Sequence, residues 1–166
     1  MSMLLDDFER DCHPVDIVEQ LATLYDWTFD RCADDEINIS VDGAWTNYHV
    51  SINWQEDLES LHLACSFDIR VPENRQDDIC RLIALINAQL WLGHFDLWTQ
   101  EGALMYRHGL LFAGGSEPTT EQCKALLHTA LETCERYYQS FQFVLWAGKS
   151  PQRALETSLF ETIGQA

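Results

Sequence analysis

Six histidines and six cysteines are the residues with the most obvious chemical potential in this chain, and their spacing decides whether that potential is used. Cys123, His128 and Cys134 share a helical stretch, but Cys123 and Cys134 stand ~16 Å apart along a helix axis and His128 points away from both. They cannot share one metal ion, which needs its ligands within about 2.3 Å. Cys12-His13 has no evident third ligand. His49 and His62 fall on the outward side of neighbouring strands with Asp68 on the same side, the one grouping that offers general acid–base chemistry. The plainer reading of that grouping is a solvated sheet face. Ala147-Gly148-Lys149-Ser150 has the ending of a phosphate-binding loop, yet position 143 is Phe where a glycine is required, and Pro151 removes an N–H. Asp34-Asp35-Glu36 and Asp6-Asp7 with Glu9 lack the interleaved spacing of a calcium loop. No serine sits in a G-x-S-x-G elbow. No catalytic residue, metal site or cofactor is therefore expected.

The balance of charge narrows the partners. The chain carries a net charge of −17, from 27 acids against ten basic residues, two of them lysines. Residues 1–42 hold twelve of the acids against Arg10 and Arg31. Such a surface repels nucleic-acid phosphates and anionic lipids, so the partner expected is a protein, with basic character the sharper version of that expectation. The cysteines (Cys12, Cys32, Cys65, Cys80, Cys123, Cys134) form no CxxC pair and read as reduced, core-filling thiols. No apolar run reaches the ~20 residues that span a bilayer, and the MSMLLDDFERD start lacks a basic n-region. A cytoplasmic setting is the expectation.

At 166 residues with 46% hydrophobic content, the chain suits one domain, residues 1–13 forming a loosely ordered lead-in. Its four prolines announce helices. The first helix is expected over about 14–25, with Val18, Leu21, Ala22 and Tyr25 on one face. The second is expected over about 74–92, with Ile79, Leu82, Ile83, Ile86 and Leu90 inward and Gly93 as its stop. Thr119-x-x-Gln122 is a capping box opening a third helix, with the stripe Cys123, Leu126, Leu127, Ala130, Cys134, Tyr137, Tyr138, Phe141, Leu145. Gly148 closes it, and Ser150-Pro151 starts a short final one.

Strands fill the intervals. Asp42-Gly43 reads as a two-residue hairpin turn that sets Ile39 against Thr46 and Ile37 against Tyr48. The inward set continues through Val50, Ile52 and Trp54. Residues 61–70 alternate, with Leu61, Leu63, Cys65, Phe67 and Ile69 inward. Phe95 and Leu97 pair with Leu104 and Tyr106 across a turn at Thr99–Gly102, with an Asp96–Arg107 ion pair on the other face. Gly109 suggests a bulge. Trp27–Cys32 is a short strand or a bent extension. The fold class is α+β: an antiparallel twisted sheet of about five strands with flanking helices, in the order α-β-β-β-α-β-β-α plus a short C-terminal helix.

An apolar surplus remains. Leu85, Trp91 and Leu92 lie off the main stripe of the second helix. With Leu82 and Ile86 they form the expected homodimer interface. Trp45 and Trp98 stand among polar neighbours on outward strand faces, as expected partner-binding anchors. A pocket between the sheet and the third helix, lined by Tyr137, Tyr138 and Phe141, is the small-molecule or peptide-sensor alternative. An enzyme using His49, His62 and Asp68 is a third.

The strings LIALINAQLWLGHFDLW, YHVSINW…LHLACSFDIRVP and CERYYQSFQFVLWAGKSP resemble the YbjN domain family, the bacterial sensory transduction regulators, from about Asp16 to Phe160. The resemblance implies a fold like that of class I type III secretion chaperones. It also implies a non-enzymatic, chaperone-like or regulatory protein, often dimeric, with no catalytic residues to carry over.

Overall fold

The computed structural model describes residues 10–164, with side chains to Leu159. In chain order the elements are α1 (Pro14–Leu24), β1 (Thr28–Ala33), β2 (Glu36–Asp42), β3 (Asn47–Gln55), β4 (Ser60–Arg70), α2 (Gln76–Asn87), β5 (His94–Trp98), β6 (Ala103–Leu111), α3 (Thr120–Leu145) and α4 (Pro151–Gly164). All six strands join one antiparallel sheet in the order β1-β2-β3-β4-β6-β5. The expected α+β class holds, with six strands in place of about five. The extra one is Trp27–Cys32, which pairs with β2 from Thr28↔Ser40 onward. Its inward positions are Phe29 and Arg31, and Arg31 reaches Asp16 of α1 at 2.9 Å, so the segment lacks the apolar alternation that marks a strand.

The helices lie on one face of the sheet. α1 packs on β1–β3, α3 on β4 and β6, α2 beside β5, and α4 against α2 and α3. One core runs through the layer, from Val15 to Leu155. At its centre Phe95, Phe67, Tyr137, Tyr138 and Phe141 form edge-to-face and tilted pairs, with ring centroids 5.2–6.5 Å apart. Those rings fill the space in which a sensor pocket was expected. Cys65, Cys123 and Cys134 are buried and Cys12 packs against the core, whereas Cys32 and Cys80 are exposed, so the core-filling reading holds for four of the six.

Local signals placed the helix starts well. Pro14 opens α1, and His13 caps it by accepting the Val15 N–H at Nδ1 (3.1 Å) while Nε2 meets Asp35 at 2.8 Å. The capping box at Thr119 and Gln122 is complete, with bonds of 3.0 and 2.8 Å. α4 is tied to α3 by a buried Ser140–Ser158 hydroxyl pair. Of the expected loose lead-in, residues 1–9 lie outside the described residues. Arg10 is anchored to Glu59 at 2.9 Å and to the Phe112 and Ser116 carbonyls at 3.0 Å each.

Three expectations need correcting. The β2–β3 turn is not Asp42-Gly43. Asp42 pairs with Asn47, and Gly43–Thr46 is a four-residue loop closed by Gly43 N–H donating to Thr46 C=O at 2.8 Å. Ile39 therefore faces Val50 and Ile37 faces Ile52. The offset is an even number of residues, so the same side chains still point inward. Next, α2 ends at Asn87, well before Gly93, because the Asn87 amide turns to the next strand. Finally, Gly109 pairs regularly with His62, and the irregularity in that ladder lies between Ser66 and Arg70 of β4.

Candidate functional site: the open face of the sheet

With every helix on one side, the alternate side chains of the strands are left facing outward. The register decides which of them meet. Across β3 and β4, His49 stands opposite Ser66, Ser51 opposite Ala64 and Asn53 opposite His62. Across β4 and β6, Ala64 faces Arg107 and Ser66 faces Met105. Small residues at Ser51, Ala64 and Ser66 make a low floor between taller neighbours. The result is a groove of about 620 Å³ lined by Asn38, His49, Asn53, His62, Arg107 and Met105, with Trp98 at one end.

The polar groups along it are arranged in separate pairs. Arg107 of β6 reaches Asp96 at 3.6 Å, the ion pair expected on this face, and its Nε–H donates to His62 Nε2 at 3.4 Å. His62 accepts there and stays neutral. Its burial, then the Arg107 and His94 charges, hold its pKa below the ordinary histidine value. His49 pairs instead with Asp68, at 3.7 Å. Because His62 sits across from Asn53, four residues along β3 from His49, their backbone positions are about 13 Å apart along the strand direction. The expected His49–His62–Asp68 grouping is therefore divided, with only His49 and Asp68 in contact. Among the described residues no three His, Cys, Asp or Glu side chains come together as a metal set.

Trp98 and Trp45, read from sequence as anchors, stand at the same end of the sheet. Trp98 ends β5 and is 49% exposed. The turn after it is closed by Gly102 N–H donating to Trp98 C=O at 2.8 Å, and the Gly102 carbonyl accepts the Val71 N–H at 2.9 Å. A side chain at Gly102, whose φ is +66°, would stand 2.6 Å from the Val71 carbonyl oxygen. Trp45 belongs to the Gly43–Thr46 loop and not to a strand face. It is 47% exposed, and its loop is held to α3 by Ala44 N–H donating to Glu135 at 2.7 Å. Two strands, β4 and β6, lie between β3, which the Trp45 loop enters, and β5, which Trp98 ends.

The five residues expected at a dimer interface divide. Leu82 and Ile86 are fully buried under α2 and offer no surface; they are core residues. Leu85 is half-buried. Trp91, 98% exposed, and Leu92, 54% exposed, sit on the connector after α2 and not on the helix. That connector is fixed: Asn87 bonds both backbone groups of Phe95, at 2.8 and 3.0 Å, and Tyr106 Oη donates to Leu92 C=O at 2.8 Å. Gly93, at φ +69°, lies against the Tyr106 ring, where a Cβ would collide. The open groove itself was not read from sequence. Its only signal was the run of small outward residues, Ser51, Ala64 and Ser66.

No helix among the described residues is long and apolar enough to cross a membrane. No curated protein matches the sequence. Among solved structures, YbjN from E. coli superposes with a TM-score of 0.54 at 12% identity, covering 89% of this chain and 93% of that one. A chain of the crystallised ExsC–ExsE complex gives a TM-score of 0.49 at 16% identity, covering 74% and 88%. The likeness to YbjN is one of fold. The family model described as "Putative bacterial sensory transduction regulator" matches residues 14–143, which is most of the ordered core, and the chain belongs to that YbjN family.

Proposed function

We propose that this chain is a non-enzymatic regulator that binds another protein on the open face of its sheet and acts as a homodimer. The observation that carries the reading is the one-sided sheet, a grooved and uncovered face of about 620 Å³ with Trp98 standing at its end. A half-exposed tryptophan beside Met105 is the kind of anchor that dominates protein contacts. Family membership supports a regulatory or binding role. The division of His49 from His62 leaves the His49–Asp68 pair solvent-exposed and without a third group, which favours binding over catalysis. The dimer reading is supported by Trp91 and Leu92 on their fixed connector, an apolar pair with no cover in the single chain. Two exposed thiols, Cys32 and Cys80, suit a reducing compartment such as the cytoplasm.

The test compares the tagged chain with its Trp98→Ala variant as bait in native extract. A stoichiometric partner held by the parent and lost from the variant is the expected outcome; equal capture by both overturns the reading. Sedimentation equilibrium tests the dimer. A monomer at micromolar concentration removes that part of the proposal.

A further inference from the structure

On the helix side of the molecule, away from the open sheet face, the connector between α3 and α4 crosses the exposed flank of α2. It encloses a groove of about 620 Å³, walled by Asp78, Arg81, Ala84, Leu85 and Ala88 of α2 and by Gly148–Gln152. The floor is apolar and low, because two of its three apolar residues are alanines.

Its charge is out of keeping with the rest of the chain. Of only ten basic residues in a chain of net charge −17, three stand at this groove. Arg81 and Lys149 line it. Arg75 Nη2 lies 3.9 Å from the place a Cβ on Gly148 would occupy, and Asp78 is the one carboxylate in the wall. Elsewhere Arg10 is matched to Glu59 at 2.9 Å, Arg31 to Asp16 at 2.9 Å and Arg107 to Asp96 at 3.6 Å, while Arg70, Arg136 and Arg153 have no such partner among the described residues. Here Arg75 has Asp78 at 3.9 Å, and among the described residues Arg81 and Lys149 have no carboxylate within 4.0 Å. Lys149 is held in position: its ammonium donates to Thr157 Oγ1 at 3.4 Å and lies 4.8 Å over the Phe143 ring, and its N–H donates to Phe143 C=O at 3.0 Å. Two cations without a carboxylate partner on one groove are stabilised when an anion enters.

We propose that this groove binds a small organic anion, its phosphate or carboxylate head held by Arg81 and Lys149 and its apolar body lying on Ala84, Leu85 and Ala88. The volume is in the range of small-molecule sites, about 300–1,000 Å³. A ligand seated there joins α2 to the α3–α4 connector. The site does not depend on the reading of the open face.

Two matched probes, phenyl phosphate and benzoate, share a body and differ in the head group, and phenol is the neutral control. Titration calorimetry on the full chain is expected to show saturable one-to-one binding of at least one anion and none of phenol. Preference for phenyl phosphate assigns a phosphate head; preference for benzoate assigns a carboxylate head. The double variant R81Q/K149Q is expected to weaken binding about tenfold or more. A84L, which fills the floor and keeps both cations, is expected to weaken it as well. Saturating anion is expected to raise Tm by about 5–10 °C at a hundredfold excess over Kd. The Trp98→Ala variant, lacking the open-face anchor, binds the anion as the parent does. No binding of either anion up to about 10 mM, or binding unchanged in both R81Q/K149Q and A84L, overturns the proposal.

Discussion

Glu59 shows how much one side chain can organise. It holds a left-handed backbone at φ +48°, takes the Arg10 guanidinium at 2.9 Å, and accepts the Gly115 and Gly114 N–H groups at 2.9 and 3.2 Å. The Gly115 bond first, and Arg10 after it, hold its carboxyl below the usual glutamate pKa. A depressed carboxylate stabilises the fold above its unfolded pKa of about 4.3, and that stabilisation is lost as pH falls through the folded value. Glu59→Gln is therefore expected to lower Tm at pH 7 and to flatten the acid limb of the Tm–pH curve, read by circular dichroism. Tyr106 runs the opposite way. Burial pushes its hydroxyl up to about 12, and the protonated form donates to Leu92 C=O. Its contribution is complete below about pH 10 and lost as pH rises toward 12. Tyr106→Phe removes the donor to the Leu92 carbonyl, costs about 1 kcal/mol in urea unfolding at pH 8, and removes part of the alkaline loss. Neither role shows in the sequence, since each depends on partners more than ten residues away.

Among the elements, what could be read locally was read correctly, and what depended on distant partners was not. Thr119 and Gln122 cap α3 because the residues involved are three apart, and Thr119→Ala is expected to cost about 1 kcal/mol of stability. The apolar stripe of α2, by contrast, continues through Leu90 and gives no reason to stop at Asn87. The stop comes from β5, whose Phe95 N–H and C=O both take the Asn87 amide. Leu90, Trp91 and Leu92 thereby leave the helix, and the exposed members of the apolar set expected on one helical face stand on a connector. Asn87→Ala is expected to cost about 1–3 kcal/mol, because two strand-edge groups lose their partner together. Chemical denaturation of this variant checks the value, and a loss below about 0.5 kcal/mol would show that the two bonds to Phe95 do not hold the connector. The β2–β3 loop follows the same rule. Asp42-Gly43 has turn chemistry, yet Gly43 N–H closes on Thr46 and Ala44 N–H on Glu135 of α3, 91 residues away. Alternation along β3 nevertheless kept the inward set correct, since side-chain direction survives an even shift in pairing.

For the whole molecule, the sheet is closed at its edges and open on its face. At β5, Asn87 occupies Phe95, and Asp96 takes the Leu97 N–H at 2.9 Å. At β1, a register break between Arg31 and Ala33 interrupts the ladder, and the Arg31 guanidinium covers the Ala33 and Asp34 carbonyls at 2.7 and 2.6 Å. Strand addition is thus discouraged at both edges, and a partner is left with the face that carries Trp98. The net charge of −17 then gives two modes of association opposite responses to salt. Raising ionic strength from about 0.1 M to about 1 M shortens the screening length from about 10 Å to about 3 Å. A basic partner steered to the face by charge is weakened by that change, mainly through its on-rate. Two copies of this chain repel, so a dimer made through Trp91 and Leu92 is strengthened or left unmoved. Sedimentation equilibrium across that salt range is expected to show a dimer fraction that rises, together with a Trp91→Ala variant that stays monomeric throughout. A dimer that dissociates with salt, or one that survives Trp91→Ala, would place the self-association on charged contacts elsewhere and remove the connector from the interface.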